Sequence, residues 1–177
     1  LIMRKYALLP VAVCTLVLAA TTTGFAAETG GCDSFPWPIK TELQWMKASD
    51  SEALKSGAKL AEPPAKAMTL SLEPMSAVVF PVAPTGKMKP EGDVYGGIVD
   101  FQSPSSAPGL YQVTLQSPGW IDIVQDGKPL KPTAHSGKSD CDGVRKTLRF
   151  NLDATPFTVQ FSNLKKDSIK FAIRQAE

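Results

Sequence analysis

From Ala67 onward, apolar and polar residues alternate with a period of two, the signature of half-buried strands. In AMTLSLE, Met68, Leu70 and Leu72 share one face, and Thr69, Ser71 and Glu73 the other. SAVVFPV groups Val78, Phe80 and Val82, and YGGIVDF groups Tyr95, Gly97, Val99 and Phe101. LYQVTLQ sets Tyr111, Val113 and Leu115 against Gln112, Thr114 and Gln116. WIDIVQ runs into Asp126-Gly127, a strong hairpin signal. KPLKPTAH reads as the returning strand, and Pro129 and Pro132 place it at a sheet edge. VRKTLRFNL groups Lys146, Leu148, Phe150 and Leu152 opposite Arg145, Thr147, Arg149 and Asn151. PFTVQFS groups Phe157, Val159 and Phe161, and SIKFAIR groups Ile169, Phe171 and Ile173. Eight or nine strands follow, separated by Gly, Pro, Asn and Asp. They predict a mainly β domain, an antiparallel sandwich or jelly-roll. The alternation predicts sheets with one buried and one wet face.

The segment before Ala67 has a different rhythm. Pro36 and Pro38 give an extended lead-in, and Ile39, Leu43 and Met46 then fall at helical spacing. Pro38 suits a first helical turn, so a short helix is expected over 38–48. A second is expected over 50–56, ending near Gly57, with a polar, proline-containing loop over 57–66. Residues 27–66 are expected to pack with the sandwich of 67–177 as one unit.

The N-terminal residues read as an address. Met3-Arg4-Lys5 precedes YALLPVAVCTLVLAA, which is uncharged, and TTTGFAAET brings small residues before the first acid, Glu28. A basic start, a short apolar stretch and a small-residue exit make a secretory signal peptide over 1–26, cut after Ala26 or Ala27. The apolar run falls short of the roughly 20 residues a membrane span needs, so no stable membrane insertion is expected after cleavage. The natural start is expected at Met3, after Leu1 and Ile2. Gly30-Gly31-Cys32 comes about ten residues too late for a lipoprotein cysteine.

Charge changes little. Lys and Arg total 19 and Asp and Glu 17; Arg4 and Lys5 leave with the leader, which makes the two counts equal. A chain so balanced has no drive toward nucleic acid or an anionic membrane surface. Cysteine changes more. Cys14 lies in the leader, so Cys32 and Cys141 remain, and an even pair in an oxidising compartment forms a disulfide.

Candidate chemistry gathers near that cysteine. His135 is the only histidine, six residues before Cys141, which Asp140 and Asp142 flank. A metal site usually needs three or four ligands, and neither HxH nor HExxH occurs. A Cys–His nucleophile needs a free thiolate, which a disulfide removes. A serine triad lacks its GxSxG elbow. His135 then reads as a solvated loop residue. Acids offer another reading: Asp122, Asp126, Asp140 and Asp142 are candidate Ca²⁺ ligands if their strand and loop are neighbours. Trp120, Asp122, Asp126 and His135 form a candidate ligand patch, set against the plainer reading of Trp37, Trp45 and Trp120 as packing residues. No cofactor is expected.

The runs GLYQVTLQSPGWIDIVQDGKPL and HSGKSDCDGVRKTLRFNLDATPFTVQFSNLKKDSIKFAI, with CDSFPWPIKTELQWM before them, resemble a group of small exported proteins of Gram-negative bacteria. That group has no established activity, and some members carry the label homogentisate 1,2-dioxygenase. The residues oppose the label, because such an iron enzyme is far longer and uses several histidines. More loosely, GLYQVTL followed by WIDIV resembles the prepeptidase C-terminal β-sandwich modules of secreted hydrolases, which are non-catalytic. The resemblance implies an exported binding or structural module, periplasmic or secreted, with an envelope protein or a glycan as partner. The rival expectation is a small secreted hydrolase, or a carbohydrate- or Ca²⁺-binding protein, with an acidic site around Asp122.

Overall fold

The computed structural model describes residues 30–86, 92–104 and 107–177; the leader expected over 1–26 lies outside the described residues. A 3-10 turn (Gly31–Ser34) and helix α1 (Lys40–Lys47) come first. Twelve strands follow: β1 (Glu52–Lys55), β2 (Ala58–Leu60), β3 (Met68–Ser71), β4 (Glu73–Pro74), β5 (Tyr95–Phe101), β6 (Gly109–Leu115), β7 (Trp120–Gln125), β8 (Lys128–Pro129), β9 (Ala134–Gly137), β10 (Lys146–Leu152), β11 (Phe157–Leu164) and β12 (Ser168–Gln175). Sheet A has the order β1-β3-β12-β6-β10-β9; sheet B has the order β2-β5-β11-β7-β8, with β4 also paired to β5.

The two sheets pack face to face through the rows that the alternation marks. Tyr111, Val113, Leu115, Leu148, Phe150, Leu152, Phe171 and Ile173 point inward from sheet A. Val99, Phe101, Ile121, Ile123, Phe157, Val159 and Phe161 meet them from sheet B. The register keeps these rows level: Leu148 faces Val113, and Val159 lies between Val99 and Ile123. Phe161 of sheet B meets Phe171 of sheet A with ring centroids 4.7 Å apart. Each such side chain, fully buried, contributes about 1.5–3 kcal/mol of transfer free energy.

Four expectations are corrected. First, the sheets are mixed, not antiparallel: β1 pairs parallel with β3, and β2 parallel with β5. The chain lays β1 on the edge of sheet A, crosses at Gly57 (φ 86°) to lay β2 on the edge of sheet B, then returns for β3. Two short parallel edge strands result, and the strand count rises to twelve. Second, those strands occupy residues where a helix over 50–56 and a loop over 57–66 were expected. Glu52-Ala53-Leu54-Lys55 has good helix propensity, but pairing with β3 and packing of Leu54 against the core override it. Third, the single returning strand expected over 128–135 divides. Lys128–Pro129 pairs with β7 in sheet B and Ala134–Gly137 with β10 in sheet A, so the prolines mark a change of sheet as well as an edge.

The fourth correction concerns the outer faces. SAVVFPV is not a ladder strand. A 3-10 turn (Met75–Ala77) leads into a strap over 78–86 whose residues alternate between half-buried and exposed. The strap crosses the outside of sheet B. Gln160 holds it as a strand would: Val82 N–H donates to Gln160 Oε1 (3.1 Å), and Gln160 Nε2 donates to Val82 O (3.2 Å). Phe80 sits on Gly96, where an added Cβ would lie 3.0 Å from the ring and 2.8 Å from Phe161 O. On sheet A, α1 and the segment before it cover the outer face. The outward Gln112, Thr114 and Thr147 of sheet A and Gln160 of sheet B are therefore all inaccessible. The central strands are buried on both sides rather than wet on one.

Candidate functional site

Asp122 is the outward residue between Ile121 and Ile123 on β7, and it is 4% exposed. Both carboxylate oxygens are occupied. Thr85 N–H donates to Oδ2 (3.0 Å), and the Thr85 hydroxyl donates to Oδ1. Trp120 Nε1–H reaches both Asp122 Oδ1 (3.1 Å) and Thr85 Oγ1 (3.0 Å). Gly86 lies against the Trp120 indole so closely that a Cβ there would fall 2.8 Å from the ring. A carboxylate that accepts several hydrogen bonds from a neighbouring segment fastens that segment. Here it ties the end of the strap to the first turn of β7.

Lys146 completes this cluster from the other sheet. It belongs to the inward row of β10, at the end where that row reaches the rim of the sandwich. Its Nζ lies 5.1 Å from the Trp120 ring centroid and 3.5 Å from Gly119 O. Burial lowers its pKa, the adjacent Arg145 charge lowers it further, and Asp122 pulls the other way. The ammonium closes the end of the core through a cation–π contact.

The remaining candidates are dispersed. Asp126 sits in the β7–β8 turn with φ 52°, exposed at the far end of β7 from Trp120. It borders a small groove of about 270 Å³ with Lys59 and Asp100. His135 is exposed on β9, at the edge of sheet A, whereas Asp122 lies on the outside of sheet B. Asp140 and Asp142 are exposed on the β9–β10 loop, and Asp140 Oδ2 accepts from Gly31 N–H (2.8 Å). Among the described residues, no group of three or more His, Cys, Asp or Glu is placed to hold a metal ion. Cys32 and Cys141 form a disulfide, with Cα atoms 4.5 Å apart, that ties the N-terminal segment to this loop. Beside it opens a polar cleft of about 560 Å³, with Ser117, Asp142, Arg145 and Lys166 among its walls.

A second polar cluster, under α1, escaped the sequence reading. Glu42 is fully buried. Its Oε1 accepts from Arg174 Nε (2.7 Å) and Gln112 Nε2 (2.6 Å), while its Oε2 has no partner. Gln112 Oε1 accepts in turn from Arg149 Nε (3.0 Å), and the Arg149 guanidinium stacks 4.6 Å over Trp37. Lys170 Nζ caps the helix end by donating to Met46 O (2.8 Å) and Ala48 O (2.6 Å). Glu42 stands one residue before the apolar Leu43, so helical spacing alone gave no reason to bury it. A signal existed on β6 and β10: their outward rows hold Gln112, Thr114 and Thr147 beside Arg149, residues suited to a covered polar face.

Among the described residues, no helix is long and apolar enough to cross a membrane. No protein-family model, curated protein or solved structure matches the chain.

Proposed function

We propose that this protein is an exported, non-catalytic β-sandwich module of the cell envelope, periplasmic or secreted, that acts by binding a partner or as a structural element. The observation that carries this reading is the occupancy of Asp122. The most promising acid in the sequence spends both oxygens on Thr85 and Trp120, and among the described residues no histidine or second carboxylate hydrogen-bonds to it. A general base must reach a substrate proton, directly or through one water. Asp122 instead lies under the strap it fastens. The Cys141–His135 nucleophile pair loses its thiol to the disulfide, and a serine triad lacks its GxSxG elbow. The disulfide also supports an oxidising compartment, in agreement with the leader expected over 1–26 and with the resemblance to small exported proteins.

The test has two parts. Expression of the full chain should place it in the osmotic-shock fraction with its leader removed. The purified protein should show no esterase, glycosidase or peptidase turnover that Asp122→Asn abolishes. Retention in the cytoplasm contradicts the export reading, and turnover lost in that variant favours the hydrolase.

A further inference from the structure

The sandwich is held by backbone ladders, but its N-terminal layer is not. Among the described residues, no backbone–backbone hydrogen bond joins residues 30–48 to either sheet. The layer adheres through side chains: Glu42 with Arg174 and Gln112, Lys170 on the helix carbonyls, and Trp37 with Arg149 and Thr147. Its apolar contacts, from Phe35, Ile39 and Met46, form a small cluster separate from the main core. Segments with few ladder bonds and a small apolar anchor open locally at less cost than the body of a domain. Beyond the backbone itself, the one covalent tie among the described residues is Cys32–Cys141.

Cys32 of that tie is half-buried, and Cys141 is buried at the edge of the cleft. Cys141 is 8% exposed and forms part of the wall of the polar cleft, beside Arg145 and Lys166. Neighbouring cations favour the thiolates that form during exchange. Asp140 and Asp142 oppose them, although one Asp140 oxygen is turned toward Gly31 N–H.

We propose that Cys32–Cys141 is a redox latch: a dithiol reductant entering the cleft opens it and releases residues 30–48 from sheet A while the sandwich stays folded. The attacking thiolate bonds to Cys141 Sγ and expels Cys32 as a thiolate. The second thiol of the reductant then displaces Cys141. Two electrons and two protons pass to the protein, and the reductant leaves as its disulfide. Release uncovers a polar face bearing Gln112, Thr114, Thr147, Arg149, Lys170 and Arg174, which α1 now occupies with a carboxylate.

The test is amide hydrogen exchange by mass spectrometry on the leader-free protein, oxidised and after dithiothreitol treatment without denaturant. Reduction is confirmed by alkylation in the same sample. Exchange across 40–48 should accelerate at least tenfold, with β5, β6, β10, β11 and β12 unchanged, and re-oxidation should restore protection. The Cys32→Ser, Cys141→Ser double variant should match the reduced protein. Three results overturn the proposal: a disulfide that resists reduction until the protein unfolds, unchanged protection over 40–48 after reduction, or loss of protection in both sheets together.

Discussion

Replacing Asp122 with alanine separates a clamp from a catalytic acid. The substitution removes the acceptor for Thr85 N–H, the Thr85 hydroxyl and Trp120 Nε1–H at once. A hydrogen bond to a charged group contributes about 1.5–3 kcal/mol. Thr85 is exposed and Trp120 partly so, and water replaces part of what each donor loses. The cost therefore settles near 3 kcal/mol rather than at the sum. Asp122→Asn keeps one acceptor oxygen and should cost about 1–2 kcal/mol. For a domain of this size, 3 kcal/mol lowers Tm by about 6–12 °C. Urea titration followed by tryptophan fluorescence gives the free energy, and hydrogen exchange locates it. Protection should fall over the strap, at Val82 N–H first, because its partner Gln160 lies directly across from Asp122 on β11. The reasoning is refuted if either variant is as stable as the wild type or more so, since substitutions of strained catalytic carboxylates often stabilise.

Glu42→Ala should destabilise by about 3 kcal/mol, at the low end for a broken buried pair because Arg174 is 14% exposed and keeps Glu177 at 3.1 Å. Pairing Glu42→Leu with Arg174→Met should recover part of that loss in the same denaturation assay. Gly96→Ala should cost about 1–3 kcal/mol, because the new methyl meets both Phe161 O, which is backbone, and the Phe80 ring; a Tm within about 1 °C of the wild type contradicts this close approach at Gly96. Lys146 has a lowered pKa when folded, so the unfolded chain binds more protons just below 10.5, and stability from this group rises as pH increases through that window. Lys146→Met should flatten that rise relative to the wild type; parallel pH profiles contradict the burial of the ammonium.

The strands were legible where both sides of the argument were local. Leu148, Phe150 and Leu152 alternate, and so do the residues they meet on β6, so pattern and structure agree. Lys146 falls in the same apolar row, and only the structure shows that it sits at the rim, against Trp120. Residues 52–60 were not legible, because their strands exist only through distant partners, Met68–Ser71 and Val99–Phe101, to which no local signal points. The strap deceived in an instructive way. Its period-two pattern is real half-burial, but Pro81 and Pro84 deny it a ladder, and one glutamine side chain takes the ladder's place. The acid Asp122 was legible as unusual, since a carboxylate between two isoleucines is seldom idle. Its role was not, because Thr85 lies thirty-seven residues away and reaches Asp122 only once the strap is laid across sheet B.

Mass spectrometry of the exported protein, alkylated natively with and without reduction, tests the account most directly. No free thiol is expected, with one intramolecular Cys32–Cys141 bridge and two added alkyl groups only after reduction. A native Cys141 that alkylates readily contradicts this expectation, and makes His135 with Asp140 or Asp142 the active-site reading to pursue.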